Sequence, residues 1–359
     1  MKARKMYRSV SAILLAYVKL RLQTRMEIAM LPVSQGLHLR AALALLLALP
    51  VASTLSAGAA LAQTKITAGM VAHGPPQWPQ YIATELGWLK QDNIELDFVT
   101  AGGSGAQQLA AGALDICHSG YPDFARASLQ GAPVKIIIND IVASPYAVLA
   151  KPAIKQIADL KGKLISIGGN NDITFIYIKP FLASAGLKTS DVDFIFAKAA
   201  GDRFSALAAG GGDATILNHP TYSKAISLRF SNLGDTKPYA EDIPFTVWAA
   251  NMPWAEKNRN ALTAFARNYR RGVRWLYDGA NKEQAIDILM KYARQARKDL
   301  EEAYDYQVTK LKLYGLDGDV SDKTYDKMAE GLVEIGFIKK PFPPKSAIFD
   351  GSFVQQATN

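Results

Sequence analysis

A seven-residue pattern occurs twice in this chain and limits its possible folds more than any other feature. Leu109–Asp115 reads L-A-A-G-A-L-D, and Leu207–Asp213 reads L-A-A-G-G-G-D. In each copy an apolar helix runs into a Gly, which readily takes the left-handed conformation that ends helices, and a short strand follows the Asp. The repeat predicts two similar α/β lobes with a cleft between them. The alternative is a chance match in a chain rich in Ala and Gly.

Strands and helices alternate along the chain, which is the pattern of a parallel α/β sheet. A strand at Lys65–Val71 leads through a loop at His73–Gln80 into a predicted helix at Tyr81–Leu89. Ile94–Val99 alternates polar and apolar residues as a second strand, while Val134–Asn139 is continuously apolar, as expected of a strand buried on both faces.

The chain is predicted to cross twice between the lobes. The predicted boundaries are residues 63–146 for the first part of lobe 1, 147–245 for lobe 2 and 246–359 for the second part of lobe 1. The crossing segments, Tyr146–Ala150 and Phe245–Ala250, would form a hinge. The helical stretch at residues 254–314 has no strands with which to build a third sheet, so we expect this C-terminal region to pack on lobe 1.

Residues 1–62 are predicted to be a leader with an export signal. Arg40 precedes the apolar stretch Ala41–Ala52, and the small-residue run Ser56–Ala62 ends in the A-x-A pattern of a cleavage site. The apolar stretch is too short to span a membrane, so we expect cleavage after Ala62 and a periplasmic mature chain. The candidate translation starts are Met1, Met26 and Met30.

Most of the excess positive charge lies in this leader. The whole chain has 41 Lys and Arg against 32 Asp and Glu, and residues 1–62 hold eight of the basic residues and one of the acidic ones. The remainder therefore has 33 against 31, a formal charge of +2. Residues 267–274 mix basic and aromatic side chains as nucleic-acid binders do, but the near-neutral balance and the export signal argue against a nucleic-acid partner.

Candidate ligand contacts lie at the carboxyl ends of the predicted strands, where helix N-termini offer free N–H groups. In lobe 1 they are His73, Trp78, Gly103, Ser104, Ser119 and Tyr121. In lobe 2 they are Asn170, Asn171, Thr174, Asn218 and His219, and Trp248 in a crossing segment is a further candidate for stacking on a planar ligand.

Several of these residues have a purely structural alternative. The glycines around Ser104 could form only a tight turn between strand and helix, and Asn171 or Asp172 could cap a helix, which we favour for Asp172. Core packing explains a tryptophan about as well as ligand stacking does, and we assign Trp88 to the core.

Metal and covalent chemistry are not expected. His73, His118 and His219 lie at the carboxyl ends of predicted strands, and Cys117 adjoins His118, but the compact ligand spacing of a zinc site is absent. Adjacent strand residues also point to opposite faces. Cys117, the only cysteine, lies in an apolar strand and no G-x-S-x-G motif is present, so we predict no catalytic residue, no metal and no cofactor.

Five motifs in this order and spacing resemble the nitrate/sulfonate/taurine class of ABC-transporter solute-binding proteins. They are Glu85–Leu89, Leu109–Asp115, Ile157–Lys163, Ser184–Leu187 and Phe349–Val354. The resemblance implies a two-lobed periplasmic-binding-protein fold of the second topological type. It also implies a monomer that captures a small solute by hinge closure and delivers it to a membrane permease and its ATPase.

The ligand stays open at this point. Helix N-termini favour a small anion such as a sulfonate, carboxylate or nitrate, whereas the aromatic and Asn residues suit a planar nitrogenous compound. An exported enzyme related to thiamine-pyrimidine synthesis and a ligand-sensing subunit are the alternative functions. The enzyme branch carries a cysteine-rich motif, and this chain has Cys117 alone.

Overall fold

Two five-stranded sheets form the framework of the protein. The computed structural model describes residues 63–240 and 243–357, so the predicted leader and its cleavage site lie outside the described residues. The described strands are β1 (Thr64–Met70), β2 (Ile94–Thr100), β3 (Ile116–Gly120), β4 (Val134–Asn139), β5 (Ala147–Ala150), β6 (Leu164–Ile167), β7 (Asp193–Phe196), β8 (Ala214–Leu217), β9 (Ser231–Asp235) and β10 (Thr246–Asn251).

The two sheets have the same topology. Their strand orders are β2-β1-β3-β10-β4 and β7-β6-β8-β5-β9. In both, the fourth strand runs antiparallel to its neighbours: β10 in the first sheet and β5 in the second. We call the first sheet with its helices the first lobe and the second sheet with its helices the second lobe. The chain passes between the lobes after β4 and again after β9, and the predicted pair of similar α/β lobes is confirmed.

The helices cover both sheets. The described α-helices are α1 (Trp78–Glu85), α2 (Trp88–Gln91), α3 (Gly105–Ala110), α4 (Tyr121–Leu129), α5 (Ile173–Ala183), α6 (Ala200–Ala208), α7 (Thr221–Ser227), α8 (Met252–Lys257), α9 (Arg259–Tyr277), α10 (Lys282–Ala293), α11 (Arg297–Tyr304), α12 (Asp322–Glu334) and α13 (Ser352–Gln356). Among the described residues, no helix has the length and apolarity to cross a membrane.

The first helix starts earlier than predicted. The chain segment expected to be a loop up to Gln80 is already helical at Trp78, and the predicted single helix is two helices separated at Gly87. Pro79 lies in the first turn of α1, where its missing N–H costs nothing and its fixed φ suits a helix. Gly87 has a φ of 73°, in the left-handed region, and this conformation ends the first helix.

The C-terminal helices pack mainly on the first lobe, as predicted. α9 and α10 lie against α1, and α13 lies against α9 and β4. α12 contacts both lobes: Tyr121 of α4 donates a hydrogen bond to the carbonyl of Met328, and Lys179 of α5 forms an ion pair with Glu334. α12 therefore bridges the two lobes, a contact that the helical pattern alone did not indicate.

The repeated pattern ends its helix in the same way in both lobes. Gly112 follows α3 with a φ of 76°, and Gly210 follows α6 with a φ of 82°. The N–H of Gly112 bonds the carbonyl of Leu109 at 3.1 Å, and that of Gly210 bonds Leu207 at 3.0 Å.

The repeated Asp also has the same partners in both lobes. The carboxylate of Asp115 accepts the N–H of Thr67 at 2.8 Å, and its own N–H bonds the carbonyl of Thr67 at 3.0 Å. Asp213 makes the equivalent pair of bonds to Leu164, at 3.0 and 2.7 Å. Each Asp ties the start of its strand to the neighbouring strand, so the repeat reflects a duplicated unit and not a chance match.

Candidate functional site

A cavity of about 270 Å³ lies between the carboxyl-end loops of the two sheets. Its walls are residues 71–77 after β1, 118–120 at the end of β3, 172–173 after β6, 198–201 after β7 and 218–221 after β8, together with Tyr146, Phe245, Thr246, Ala293 and Gln295. This is where open α/β sheets are expected to bind ligands. Tyr146 and Phe245 also bring both crossing segments to the cavity.

Four of the predicted contact residues line this cavity: His73, Ser119, Asn218 and His219. They come from three separate segments, the loop after β1, the end of β3 and the loop after β8, and meet only in the folded chain. The Ser119 hydroxyl donates a 2.6 Å hydrogen bond to Asp123, whereas the amide of the half-buried Asn218 has no hydrogen-bond partner among the described residues. Asn218 is therefore free to bind a ligand.

The three aromatic candidates do not line the cavity and are corrected to core residues. Trp78 is fully buried, and its indole N–H donates to the carbonyl of Ala285 in α10 at 2.7 Å. Tyr121 is fully buried and bonds Met328 in α12 at 3.1 Å. Trp248 is buried in β10, between two other strands. The C-terminal helices cover these side chains, and burying their large apolar area there is strongly favourable.

Gly103 and Ser104 lie outside the cavity and conform to the tight-turn alternative. The Ser104 hydroxyl donates to the carbonyl of Ala101 at 3.0 Å and accepts from Gln108 at 2.7 Å. A Cβ added to Gly103 would lie 3.7 Å from the Cγ of Lys198, so this Gly approaches the second lobe beside the cavity.

In the loop before α5, Asp172 lines the cavity, whereas the predicted contact residues Asn170, Asn171 and Thr174 do not. Asp172 accepts the N–H of Thr174 at 2.9 Å and its hydroxyl at 2.7 Å, which is the predicted helix cap. Thr174 is buried and its hydroxyl is committed to this cap, so it does not face the cavity. Asn170 and Asn171 are exposed outside the cavity, and the backbone carbonyl of Asn171 accepts from Arg126 of the first lobe.

A buried polar chain forms the floor of the cavity. The N–H of Gly74 donates to Oε1 of Gln77 at 3.2 Å, and Nε2 of Gln77 lies 2.8 Å from Nδ1 of His118. An amide nitrogen can only donate, so Nδ1 accepts and the His118 proton is assigned to Nε2. Nε2 then donates to Asp140 at 2.6 Å.

Asp140 is fully buried and its second oxygen is also satisfied. Oδ1 accepts the N–H of Ile141 at 2.9 Å and the hydroxyl of Thr246 at 3.0 Å. A fully bonded network of this kind is rigid, because each lost bond would leave a buried polar group without a partner. The floor therefore offers shape and orientation and has no spare proton acceptor.

A cluster of charges joins the lobes at the side of the cavity. Nζ of Lys198, from the second lobe, lies 3.0 Å from Oδ2 of Asp123 in α4 and 2.5 Å from Oδ2 of Asp172. Asp123 also accepts from Arg126 at 3.0 Å. Burial by itself would lower the pKa of Lys198, but the two carboxylates raise that pKa above its ordinary value, so the ammonium stays charged.

The two histidines on opposite walls are neutral at neutral pH. Burial lowers the pKa of His219 to about 4, and burial with the nearby charge of Arg294 lowers the pKa of His73. Nδ1 of His219 lies 3.0 Å from the Ser223 hydroxyl, and Nδ1 of His73 lies 2.8 Å from the Tyr81 hydroxyl. Among the described residues, Nε2 of each ring has no hydrogen-bond partner.

Cys117 lies in the core and not in the cavity. Its side chain is fully buried, and burial raises the pKa of the thiol to about 12, so the thiolate is not formed at neutral pH. Its neighbour His118 lines the cavity, as expected for adjacent residues of a strand. Over residues 63–240 and 243–357, no group of three or more His, Cys, Asp and Glu side chains is arranged to hold a metal ion.

Sequence reasoning missed Gln77, Asp140, Tyr146 and Lys198. Two of them could have been predicted from their position just beyond the carboxyl end of a strand, as the other cavity residues were. Asp140 directly follows β4, and Lys198 lies two residues after β7. Gln77 and Tyr146 have no comparable signal, because a Gln in a loop and a Tyr in a crossing segment have many structural uses.

Comparison with known proteins gives a family and a shared fold. The family model described as NMT1/THI5 like matches residues 75–282. A protein of Brucella abortus (strain 2308), named as a binding protein, is 28% identical over 280 residues, which cover 74% of this chain and 83% of that protein.

Among solved structures, the periplasmic nitrate-binding protein NrtA from Synechocystis PCC 6803 superposes with a TM-score of 0.71 and 13% identity, over 82% of this chain and 88% of that one. The periplasmic aliphatic sulphonate binding protein SsuA from Escherichia coli has a TM-score of 0.64 and 19% identity, over 80% of this chain and 92% of that one. At these identities the likeness establishes the fold, and all three proteins are named for binding and not for catalysis.

Proposed function

The chain belongs to the NMT1/THI5-like family, and from this we propose that it is the solute-binding component of an ABC importer, exported to the periplasm, that captures one small molecule between its lobes. A permease and its ATPase would be its membrane partners. The names of its relatives and structural neighbours support this class of function.

One observation carries the proposal: the cavity has walls from both lobes and from both crossing segments. A molecule held there contacts two bodies that are joined by Tyr146 and Phe245, so its binding energy favours the arrangement in which the lobes approach. The volume of about 270 Å³ is near the lower end of the range for small-molecule pockets.

The free polar groups of the cavity suggest how a ligand would be held. His73 and His219 each present a neutral imidazole, and the Asn218 amide both donates and accepts. The rings of Tyr146 and Phe245, 5.0 Å apart between centroids, add an apolar wall against which a planar ligand could lie.

The cavity is poorly suited to nucleophilic chemistry, which supports a binding role. The His118–Asp140 pair resembles two members of a catalytic triad. However, Nδ1 of His118 already accepts from Gln77, so no ring nitrogen is free to take a proton from a nucleophile.

Ligand screening of the purified protein tests the proposal. Thermal unfolding is followed with nitrate, alkanesulfonates, aromatic carboxylates, amino acids and nitrogen heterocycles, because a ligand at a hundred times its Kd adds about 2.7 kcal/mol of stability. Recovery of the unchanged ligand supports a receptor, whereas its conversion would establish an enzyme. Release of the protein by osmotic shock, with Gln63 at its N-terminus, tests the export.

A pair of variants tests the position of the site. Asn218→Ala removes a free amide from the cavity and is expected to weaken binding about tenfold, the value of one hydrogen bond of ~1.4 kcal/mol. Ser104→Ala is the matched control, because Ser104 lies outside the cavity lining and its hydroxyl bonds only Ala101 and Gln108. Equal affinities of the two variants and the unmodified protein would reject this cavity as the binding site.

A further inference from the structure

Lys198 is the one Lys or Arg among the described residues that line the cavity. An anionic ligand in a protein cleft needs donors that remain available, and an ammonium is the strongest donor that this lining has. Whether the cavity accepts an anion therefore depends on what Lys198 already binds.

All three N–H donors of the Lys198 ammonium have carboxylate acceptors nearby. Nζ lies 3.2 Å from Oδ1 and 3.0 Å from Oδ2 of Asp123, and 2.5 Å from Oδ2 of Asp172. The ammonium has three donors in total, and three oxygens of two carboxylates lie within hydrogen-bond distance of it. A ligand anion would have to displace a carboxylate that the fold holds in place.

The neighbouring arginines do not line the cavity. Arg126 bonds Asp123 and the carbonyl of Asn171 outside the cavity lining. Arg203 is buried behind the lining, where it bonds the backbone carbonyls of Lys198 and Ile216. Its Nη2 has no hydrogen-bond partner among the described residues, but the ring of Tyr146, 5.7 Å from the guanidinium carbon, lies in the cavity wall and Nη2 has no exposed surface through which to reach a ligand. Against these cations stand the carboxylates of Asp123, Asp140 and Asp172, so the cavity carries no excess positive charge.

The N-termini of α4, α6 and α7 are the remaining sources of positive potential. Gly120 before α4, Ala200 of α6 and Thr221 of α7 line the cavity, and no side chain caps these helices. A helix terminus favours a nearby anion only modestly, and Asp123 and Asp202 in the first turns of α4 and α6 already benefit from it. This contribution is smaller than the cost of desolvating a small anion.

We propose that the cavity selects a ligand without net negative charge, and that Asp123 is the specificity-determining residue, because it occupies the one ammonium that an anion would use. The proposal rests on the proposed binding function. It decides between the two ligand classes that the sequence left open, in favour of an uncharged small molecule held by neutral imidazole and amide groups.

The test is a gain of anion binding. Asp123→Asn keeps the side-chain shape but removes the charge that neutralises Lys198, and Asp172→Asn is a second route that preserves the helix cap, since Asn caps as well as Asp. Titration calorimetry and thermal unfolding at constant ionic strength use nitrate and methanesulfonate as probes. The expected result is that the unmodified protein shows no saturable binding of either probe. A folded variant should bind a probe saturably, with a Kd at least tenfold below the highest concentration at which the unmodified protein shows no binding.

Two further variants of this chain test whether the gained anion binding depends on Lys198. Asp123→Asn combined with Lys198→Met should lose the gained binding, because the freed ammonium is absent. Asp92→Asn is the matched control, because Asp92 forms a half-buried ion pair with Arg267, 2.7 Å away, outside the cavity lining.

Saturable binding of nitrate or methanesulfonate by the unmodified protein would overturn the proposal, although it would support a receptor function. Folded Asp123→Asn and Asp172→Asn variants that gain no anion binding would also overturn it. Failure of the receptor function has a different signature: no small molecule of any charge binds the unmodified protein.

Discussion

At the scale of single residues, the cavity depends on imidazoles that the fold keeps neutral. His219 is 6% exposed and packs between the rings of Tyr222 and Tyr306, with centroids 4.7 and 4.8 Å away. Removing a charged imidazolium from water is costly, so burial favours the neutral form. A neutral imidazole can both donate and accept a hydrogen bond, whereas a charged imidazolium can only donate. The neutral ring therefore suits an uncharged polar ligand better than the imidazolium would.

The neutral state of His219 predicts a dependence of stability on pH. Its pKa is about 4 in the folded chain and 6.5 ordinarily, so between these values the unfolded chain binds a proton that the folded chain does not. Above pH 6.5 the ring is neutral in both states and does not change the free energy of unfolding. As the pH falls from 6.5 towards 4, the free energy of unfolding decreases by about 3 kcal/mol in total, at 1.36 kcal/mol per pKa unit. Urea unfolding of the unmodified protein and of His219→Asn, at several pH values over this range, measures the difference.

The expected result for His219→Asn is a shallower loss of unfolding free energy at low pH. The lowered pKa of His73 acts in the same direction, but it is present in both proteins and cancels in the comparison. Parallel pH profiles of the two proteins would show that His219 is not held neutral.

At the scale of elements, the C-terminal helices approach the rest of the protein closely where they carry glycine. A Cβ on Gly331 of α12 would lie 2.1 Å from the Tyr121 hydroxyl, and one on Gly272 of α9 would lie 2.5 Å from the carbonyl oxygen of Pro79 in α1. These glycines let helices from the end of the chain cover aromatic residues near its start, which is how Trp78 and Tyr121 become core residues.

We predict that Gly272→Ala lowers the free energy of unfolding by about 1–3 kcal/mol, the usual cost of forcing extra atoms into a packed interface. The clash is with backbone, so a side-chain rotation cannot relieve it. Urea unfolding measures the change, with Gly279→Ala as the control because its Cβ would meet nothing within 4 Å. Equal stability of both variants would mean that α9 and α1 are less tightly packed than described.

At the scale of the whole molecule, polar contacts hold the two lobes together beside the cavity. Lys198 and Asp123 join them on one side, and Lys224 of α7 bonds Gln295 at 2.7 Å on another. Gly120 also faces Ile173 across the cavity, where an added Cβ would lie 3.2 Å from the Ile173 methyl group. The described arrangement therefore has the lobes in contact, as expected of a closed state.

Lys198→Met should shift the protein away from this arrangement. A partly buried ion pair of about 1 kcal/mol supports closure, so we expect a roughly fivefold weaker affinity for an uncharged ligand. We also expect a larger radius of gyration by small-angle X-ray scattering. Lys65→Met is the control, since its exposed ion pair with Asp97, at 2.8 Å, lies between two strands of the first sheet. An unchanged radius and affinity for Lys198→Met would contradict a closing role for this pair.

The sequence by itself determined the duplicated architecture and the edge of each sheet at which the cavity lies. Both are local properties: a Gly that ends a helix, an Asp that begins a strand and the direction of a parallel strand are encoded within a few residues. His73, Ser119, Asn218 and His219 were found because they lie at or just beyond the carboxyl ends of strands, and this position is sufficient to bring them to one edge.

Only the tertiary structure decided which side chains face the cavity and which are already satisfied. Tyr121 and Ser119 both lie near the end of β3, but the helices that bury Tyr121 lie some two hundred residues further along the chain. Gln77, His118 and Asp140 likewise meet from three separate segments of the chain. Hydrogen-bond partners and neutralising charges are chosen by long-range packing, and for this reason the occupied state of Lys198, on which the ligand class depends, cannot be deduced from local pattern.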